Sequence, residues 1–458
     1  MTKEEFLKKY DRPGPRYTSY PPATLFSESY GEAEHLEELR ASDREGGNIS
    51  LYLHIPYCHN RCLYCGCNSE ALCSDAQTER YLAALKREIS LVAQKLDPSR
   101  PVSQIHWGGG TPNALSQGMI AGVMDFLRQK FSLAPDGEFA MECDPSLVDG
   151  GSLEFLRAEG FNRLSFGIQD LNSEVLARVA RKPSKLPPEE LVARSRALGF
   201  RGINLDFIYG LPGQSAASFS ETMRRAVAAD PDRLVTFSYA HVPWMKPRQK
   251  EMEAFGLPSP DEKLSMLVAG LEIARAAGYE MIGMDHYARH DDELAQAARE
   301  RTLHRNFQGY CTRRTTAQVY AFGASSISQL DGAYAQNERD PAAYIRRIEK
   351  GGLAVARGFT LSAENRFYRD LIGDIMCNGR IDASGIKQAH GLPAEETLPH
   401  LLKEKRPQLE AFAEDGLLEL GAEGLFTVTE QGRMVVRVIA MCFDPLLVES
   451  EGRYSRTV

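Results

Sequence analysis

From residue 49 to about 241, short apolar runs of strand character alternate with segments of helical period, and this alternation restricts the fold of the 458-residue chain more than any other feature. The runs are ISLYLHI (49–55), VSQIHWG (102–108), GEFAMEC (137–143), RLSFGIQ (163–169), GINLDFIYG (202–210) and RLVTFSYAH (233–241). Between the first two, TERYLAALKREISLVAQKL places Leu82, Leu85, Ile89 and Val92 on one helical face. Farther on, GMIAGVMDFLRQKF does the same with Ile120, Val123, Met124, Leu127 and Phe131. Six such repeats predict a parallel α/β domain, either an open sheet or a full or partial barrel. In folds of that kind, chemistry gathers at the C-terminal ends of the strands.

A further strand is expected over YEMIGMDHYAR (279–289). From about residue 360 the chain reads as helices until GLLELGAEGLFTVTEQGR (416–433), a hairpin with a Gly-containing turn that leads into a last helix. Helices followed by such a hairpin resemble a winged helix. Glu404, Glu410, Glu414, Asp415, Glu419 and Glu423 in this region favour a structural cap over a DNA reader. RPGPRYTSYPP (12–22) cannot form a regular helix, and reads as a strap over the domain or as an arm that closes a cleft. The expected bounds are 1–45 for the arm and lead-in, 46–355 for the barrel and its extension, and 356–458 for the helical C-terminal domain.

The formal net charge of −8 gives no reason to expect a nucleic-acid partner. No apolar leader and no long uncharged apolar run is present, which predicts a cytoplasmic protein with no membrane partner. Nine cysteines, five of them between Cys58 and Cys73, argue against a disulfide framework and for metal or catalytic use.

The cluster lies in YLHIPYCHNRCLYCGCNSE (52–70). Structural zinc usually takes two ligand pairs from separate segments, and Cys143, Cys311, Cys377 and Cys442 are scattered singly. A zinc site closed by Cys67 or Cys73 stays open on spacing alone. Cys58, Cys62 and Cys65 also suit three irons of a [4Fe–4S] cluster, with the fourth iron left for a ligand. Cys67, only two residues past Cys65, is poorly placed to reach the remaining corner.

Other strand ends carry polar residues. HWGGGTPN (106–113) offers close backbone approach at Gly109 and Gly110 and a turn with Thr111 as N-cap. Glu142, Gln169 and Asp206 finish three successive strands and together more often line a pocket than serve structure alone. Arg181 can pair with a carboxylate or sit as a solvated surface charge.

The CxxxCx(aromatic)C pattern, with Tyr64 at the aromatic position, resembles the signature of the radical S-adenosylmethionine (SAM) superfamily. That resemblance implies a partial (β/α)6 barrel, a [4Fe–4S] cluster on Cys58, Cys62 and Cys65, and SAM on the open iron, cleaved to a 5′-deoxyadenosyl radical. It assigns Gly109, Gly110 and Thr111 to the amino group of SAM. PRYTSYPP, DFIYGLPGQ, FSYAHVP, IGMDHYAR, HRNFQGY, YAQN and MCFD, in that order, extend the similarity to the family of oxygen-independent coproporphyrinogen III oxidases. By that similarity Tyr52, Gly109, Gly110, Thr111, Glu142, Gln169, Arg181, Asp206 and Ala240 contact a first SAM, and Gln308 and Ile327 a second. The segment PWMKPRQKEM (243–252) departs from the family pattern.

The implied reaction converts two propionates of coproporphyrinogen III to vinyl groups, giving protoporphyrinogen IX in haem biosynthesis. Each conversion removes a hydrogen atom from an unactivated C–H bond, then CO₂ and one electron. A reductant protein and an electron acceptor are implied, and a monomer is expected. His54, in phase with Tyr52 on the first strand, reads either as a core histidine or as a group that handles protons; both residues are catalytic candidates. The substrate's four carboxylates require cations, for which Arg12, Arg16, Arg289, Arg299, Arg301, Arg305, Arg313 and Arg314 are available. The haem-chaperone relatives are the nearest rivals. They typically carry Asp-Phe where this chain has Gly66-Cys67, and tend to lack the N-terminal arm.

Overall fold

The computed structural model describes residues 3–72, 74–312, 318–381 and 394–447. Cys73, Arg313 and Arg314 lie outside the described residues. The chain forms two compact units: the larger from Ser27–Tyr279 and Arg314–Gly358, the smaller from Met1–Phe26, Glu280–Arg313 and Phe359–Val458.

All six expected strands form in the larger unit: β1 (Ile49–Ile55), then, past the short β2 (Tyr57–Cys58) and β3 (Glu70–Ala71), β4 (Pro101–Gly109), β5 (Ser132–Cys143), β6 (Arg163–Gln169), β7 (Gly202–Tyr209) and β8 (Arg233–Ser238). They lie side by side in the order β1-β4-β5-β6-β7-β8, parallel from β1 to β8. On the far side of β1 the sheet continues through β13 (Gln318–Phe322), β14 (Ile327–Gln329), β15 (Ala333–Asn337) and β16 (Val355–Thr360). β13 is parallel to β1, and β14 and β15 return antiparallel. The result is a partial barrel of the α/β class.

Period-two alternation gives the sheet two different faces. Leu51, Leu53, Ile105, Trp107, Met141, Leu164, Phe166, Leu205 and Phe207 are buried on one. The helices Asp75–Ala93 and Gln117–Lys130 bury Leu82, Leu85, Ile89 and Val92, and Ile120, Val123, Met124 and Leu127. Each such side chain contributes about 1.5–3 kcal/mol when withdrawn from water. The opposite face carries Tyr52, His54, His106, Glu142, Ser165, Asn204 and Asp206, aligned by the register Tyr52↔His106, Glu142↔Ser165 and Ser165↔Asn204. A one-residue slip of any strand would push these polar groups into the apolar layer, so the hydrophobic pattern itself fixes the polar row. One layer below, Glu138 accepts hydrogen bonds from Gln104 (2.9 Å) and Arg163 (2.7 Å).

Two strand boundaries differ from expectation. β8 stops at Ser238, which leaves Ala240 and His241 in the loop that follows. The strand expected over 279–289 is two, β9 (Tyr279–Gly283) and β10 (His286–Arg289), because the chain turns at Met284 with φ 49° and at Asp285.

In the smaller unit, helices Ala363–Asn378 and Ala394–Glu414 precede the hairpin of β17 (Leu418–Leu420) and β18 (Phe426–Val428), with Gly424 at φ 80° in its turn. A second hairpin joins β11 (Leu303–Asn306) to β12 (Gly309–Thr312). The N-terminal helix Lys3–Tyr10 sets Tyr10 against Phe412, ring centroids 5.9 Å apart. RPGPRYTSYPP is not helical; Arg16 pairs with Asp285, and the Tyr17 hydroxyl donates to Asp444 at 2.9 Å. Three separate sequence motifs thus meet in this unit. Among the described residues no helix is long and apolar enough to cross a membrane.

Candidate active site at the strand ends of the larger unit

The cysteine loop leaves the C-terminal end of β1 and is held at every turn. Gly110 N–H donates to Ile55 C=O (2.7 Å), Thr111 N–H to Tyr57 C=O (3.0 Å) and Leu63 N–H to Val179 C=O (3.0 Å). Leu63 is buried in an apolar cluster with Val175, Val179, Ile208, Leu211, Tyr239 and Met252, and Tyr64 packs against it. From the other side the loop after β8 reaches over: Lys246 Nζ donates to Cys67 C=O (2.8 Å), Arg248 to Arg61 C=O (2.9 Å) and Gln249 to Tyr64 C=O (3.0 Å). This latch belongs to the segment that departs from the family pattern, and spacing alone gave no sign of it.

Each of the three cysteines at CxxxCxxC spacing receives a polar neighbour. Thr111 Oγ1 donates to Cys58 Sγ at 3.2 Å, Arg181 Nη1 to Cys62 Sγ at 3.7 Å, and Ser69 Oγ lies 4.0 Å from Cys65 Sγ. The Thr111 hydroxyl does not cap the short 3-10 turn it precedes; the sulfur takes it instead. Burial pushes the Cys58 thiol up, and the Thr111 hydrogen bond partly offsets this. A hydrogen bond from the Cys67 thiol lowers the pKa of Cys65, while Cys67 itself is raised by the same contact and stays exposed. Among the described residues no three His, Cys, Asp or Glu side chains converge where a single metal ion would sit. A [4Fe–4S] cluster takes each thiolate on a separate iron. The donors to sulfur are of the kind that surround thiolate ligands.

Beside the loop runs a chain of hydrogen bonds across β1, β4 and β5. His54 Nε2 is 2.9 Å from Asn68 C=O, so it carries the proton, and Nδ1 accepts from the Tyr52 hydroxyl at 3.1 Å. Burial pushes the His54 pKa down and keeps this ring neutral. Tyr52 stacks on His106 (centroids 5.9 Å apart, 25° between planes). His106 Nε2 lies 3.0 Å from Glu142 Oε1, and Gly109 N–H donates to Glu142 Oε2 at 3.3 Å. Burial alone would raise the Glu142 pKa; His106 and the Gly109 N–H more than offset it and hold the carboxyl below its ordinary range. His106 stood unassigned in HWGGGTPN, although its register opposite Tyr52 puts it in the polar row.

The glycines serve this chain directly. A Cβ on Gly108 would lie 2.8 Å from the Glu142 carboxyl, one on Gly109 2.6 Å from the His54 ring, and one on Gly110 2.9 Å from Ile55 C=O. Gly109 also has φ 110°, a conformation disfavoured for any side chain.

Beyond Glu142 the row continues. Asp206 accepts from Ser165 and from Asn204, both at 2.7 Å. Gln169 sits at φ 70° where the β6–β7 register shifts, and its Oε1 is buried without a partner. Arg181 is not a surface charge: it donates to Gly167 C=O at 2.6 Å and pairs with Asp144 at 3.2 Å. Burial disfavours its charge, yet Tyr64, Asp144 and Cys62 raise its pKa overall. Ala240 is exposed just past β8. Gln308 stands at the β11–β12 turn of the smaller unit, and Ile327 opens β14 in the larger.

Residues 52–226 match the Radical SAM superfamily. The chain is 41% identical over 442 residues to the oxygen-independent coproporphyrinogen III oxidase of Escherichia coli K12, covering 96% of this chain and 94% of that one. Its identity to the Pseudomonas aeruginosa enzyme of the same name is 40% over 457 residues, covering 99% and 98%. The solved structure of coproporphyrinogen III oxidase (HemN) from Escherichia coli superposes with a TM-score of 0.88 at 40% identity, over 97% of this chain and 99% of that one. The radical SAM domain, the near-full-length identity and the shared fold agree, and the chain belongs to the family of oxygen-independent coproporphyrinogen III oxidases.

Proposed function

We propose that the larger unit binds a [4Fe–4S] cluster through Cys58, Cys62 and Cys65, and that the polar row beside it receives SAM for the oxidative decarboxylation of two propionates of coproporphyrinogen III. The observation that carries this reading is the hydrogen-bonding environment of the cysteines: Thr111, Arg181 and Ser69 approach the three sulfurs from three different segments. When bound, the cluster and SAM supply a primary carbon radical able to take hydrogen from an unactivated propionate C–H bond.

The chain's own residues set the stage. Ionised Glu142, with Gly109, Gly110 and Thr111, suits an ammonium, as expected of the amino end of SAM. Arg181 offers charge for the carboxylate, and its Nε is buried without a partner. Gln169 Oε1 and Asp206 face the nucleoside, with Ala240 at the rim and Tyr64, within the cysteine loop, packing against the apolar cluster around Leu63. Tyr52 and His54 hold the loop's exit through Asn68 and keep the proton on Nε2. Gln308 and Ile327 are assigned to a second SAM, which gives two decarboxylations two sources of radical. The reading takes the protein as a cytoplasmic monomer supplied by an unidentified reductant protein, with no nucleic-acid or membrane partner.

Anaerobic incubation of the iron-loaded chain with coproporphyrinogen III, SAM and a reductant, followed by mass analysis of the tetrapyrrole, tests the reading. Two losses of CO₂ with formation of 5′-deoxyadenosine are expected. Haem or porphyrin binding with no loss of CO₂ would reject it.

A further inference from the structure

The arginines available to the substrate's carboxylates are not equivalent, and the smaller unit separates them. Arg16 is committed to Asp285, Arg289 pairs with Asp291 at 3.1 Å, and Arg299 pairs with Glu280 at 2.6 Å. Arg12 lies 3.4 Å from the backbone carbonyl of Val438.

Arg305 is different. It stands on β11 directly across from Tyr310 of β12, and its guanidinium carbon lies 4.5 Å from the centre of the Tyr310 ring. The residue is 7% exposed, and its Nε and Nη1 have no hydrogen-bond partner. Asp285, whose carboxyl feels the Arg305 charge, is already engaged by Arg16 and by His286 Nδ1 at 2.7 Å. Burial keeps His286 from charging easily, so it adds little to the local balance. At the turn of the same hairpin, the Oε1 of Gln308 is likewise buried without a partner. A buried guanidinium is normally paired, because its desolvation is otherwise uncompensated. One face of this one is satisfied by the ring beneath it, and Nε and Nη1, on two different edges of the guanidinium, each keep a donor for a carboxylate oxygen.

We propose that Arg305 is a carboxylate-binding residue of the β11–β12 hairpin, with the Gln308 carbonyl accepting a hydrogen bond from the same ligand. This rests on the functional reading above, which supplies two ligands of the right chemistry. The tetrapyrrole brings propionates and pyrrole N–H groups; SAM brings a carboxylate and an ammonium.

The test uses the full chain, loaded anaerobically with iron and sulfide, as wild type, Arg305→Met and Arg305→Lys. Coproporphyrin III, which keeps the four carboxylates, is titrated by fluorescence quenching, and SAM by equilibrium dialysis. A loss of about tenfold or more in affinity is expected in Arg305→Met for at least one ligand, the scale of a lost hydrogen bond to a charged group. Loss confined to the porphyrin assigns Arg305 to a substrate propionate, and loss confined to SAM assigns it to the amino-acid end of SAM. A smaller change for both ligands overturns the proposal. Should Arg305→Met fail to load iron, Arg305→Lys decides by the same criterion, since it keeps the charge but loses the fork. Turnover of the wild type, measured in parallel, keeps the two claims apart. Absence of vinyl product alongside Arg305-dependent binding rejects the functional reading alone, and turnover that proceeds with indifference to Arg305 rejects this one alone.

Discussion

Thr111 turns its hydroxyl to the sulfur of Cys58, 3.2 Å away, and leaves the short 3-10 turn it precedes without a side-chain cap. The bond works against burial, which pushes the Cys58 thiol up. Thr111→Val is therefore expected to raise the Cys58 pKa further and to slow alkylation of that thiol in the metal-free protein at pH 8 by several-fold. Thr111→Ser is expected to alkylate at close to the wild-type rate. Peptide mapping after timed iodoacetamide labelling reads both, and equal rates for Val and Thr would deny the bond any influence.

Gly109 and His54 are expected to behave as one unit. Gly109→Ala drives a methyl into the His54 ring, 2.6 Å away, at a backbone φ of 110°. The backbone strain alone costs about 1–3 kcal/mol. His54→Ala removes the clash and not the strain, so the double variant is expected to recover part of the loss. Thermal melts of all four corners of the cycle measure the coupling; strict additivity would place the ring elsewhere.

Glu88 connects pH to stability. Buried in the helix Asp75–Ala93, it accepts hydrogen bonds from Gly323 N–H (2.8 Å), Asn337 (2.6 Å) and the Tyr344 hydroxyl (2.6 Å), yet burial raises its pKa to about 7. The unfolded carboxyl ionises near its ordinary value, about 4.3, while the folded one keeps its proton until about 7. Stability from this group is full below the unfolded value and declines as pH rises to about 7, by at most on the order of 4 kcal/mol. Between pH 5 and pH 8 the Glu88→Gln variant should gain on wild type in melting temperature, and parallel pH curves would exclude Glu88 as the cause.

Gln249→Leu removes one strut of the latch over the cysteine loop, the bond to Tyr64 C=O, together with the bond that Gln249 Oε1 accepts from Val242 N–H at 2.6 Å within its own segment. A single hydrogen bond of this kind is worth about 1 kcal/mol, or roughly fivefold in an equilibrium constant. Iron release from the loaded protein to a ferrous chelator is expected to quicken by about that factor, while Lys250→Ala, on an exposed side chain of the same segment, leaves it unchanged. An unchanged rate in Gln249→Leu would show that the latch does not restrain the loop.

The strands and the two barrel helices were legible because each buries one face, and periodicity records burial directly. Cys58, Thr111 and Glu142 could be picked out as site candidates because loops and strand ends carry chemistry on such sheets. What escaped the sequence was pairing across distance. His106 acquires meaning only once the register sets it against Tyr52, and Gln249 only once the loop after β8 folds back by 185 positions. The break at Met284 was missed although Gly283 and Asp285 flank it, because a methionine itself gives no warning of a positive φ. Arg305 looked like its neighbours in a basic segment until burial and missing partners set it apart.

The bond from Tyr17 to Asp444 joins residues 427 positions apart. During synthesis the first 26 residues of the smaller unit therefore emerge long before their partners exist. At about 5–20 residues per second, roughly 20–85 s pass before Asp444 is added. Over that interval Tyr17 and Tyr20, both buried in the finished protein, stay on the nascent chain without their final partners. The Pro-rich composition of residues 12–22, which resists helix and strand alike, keeps that segment from settling into another structure in the meantime.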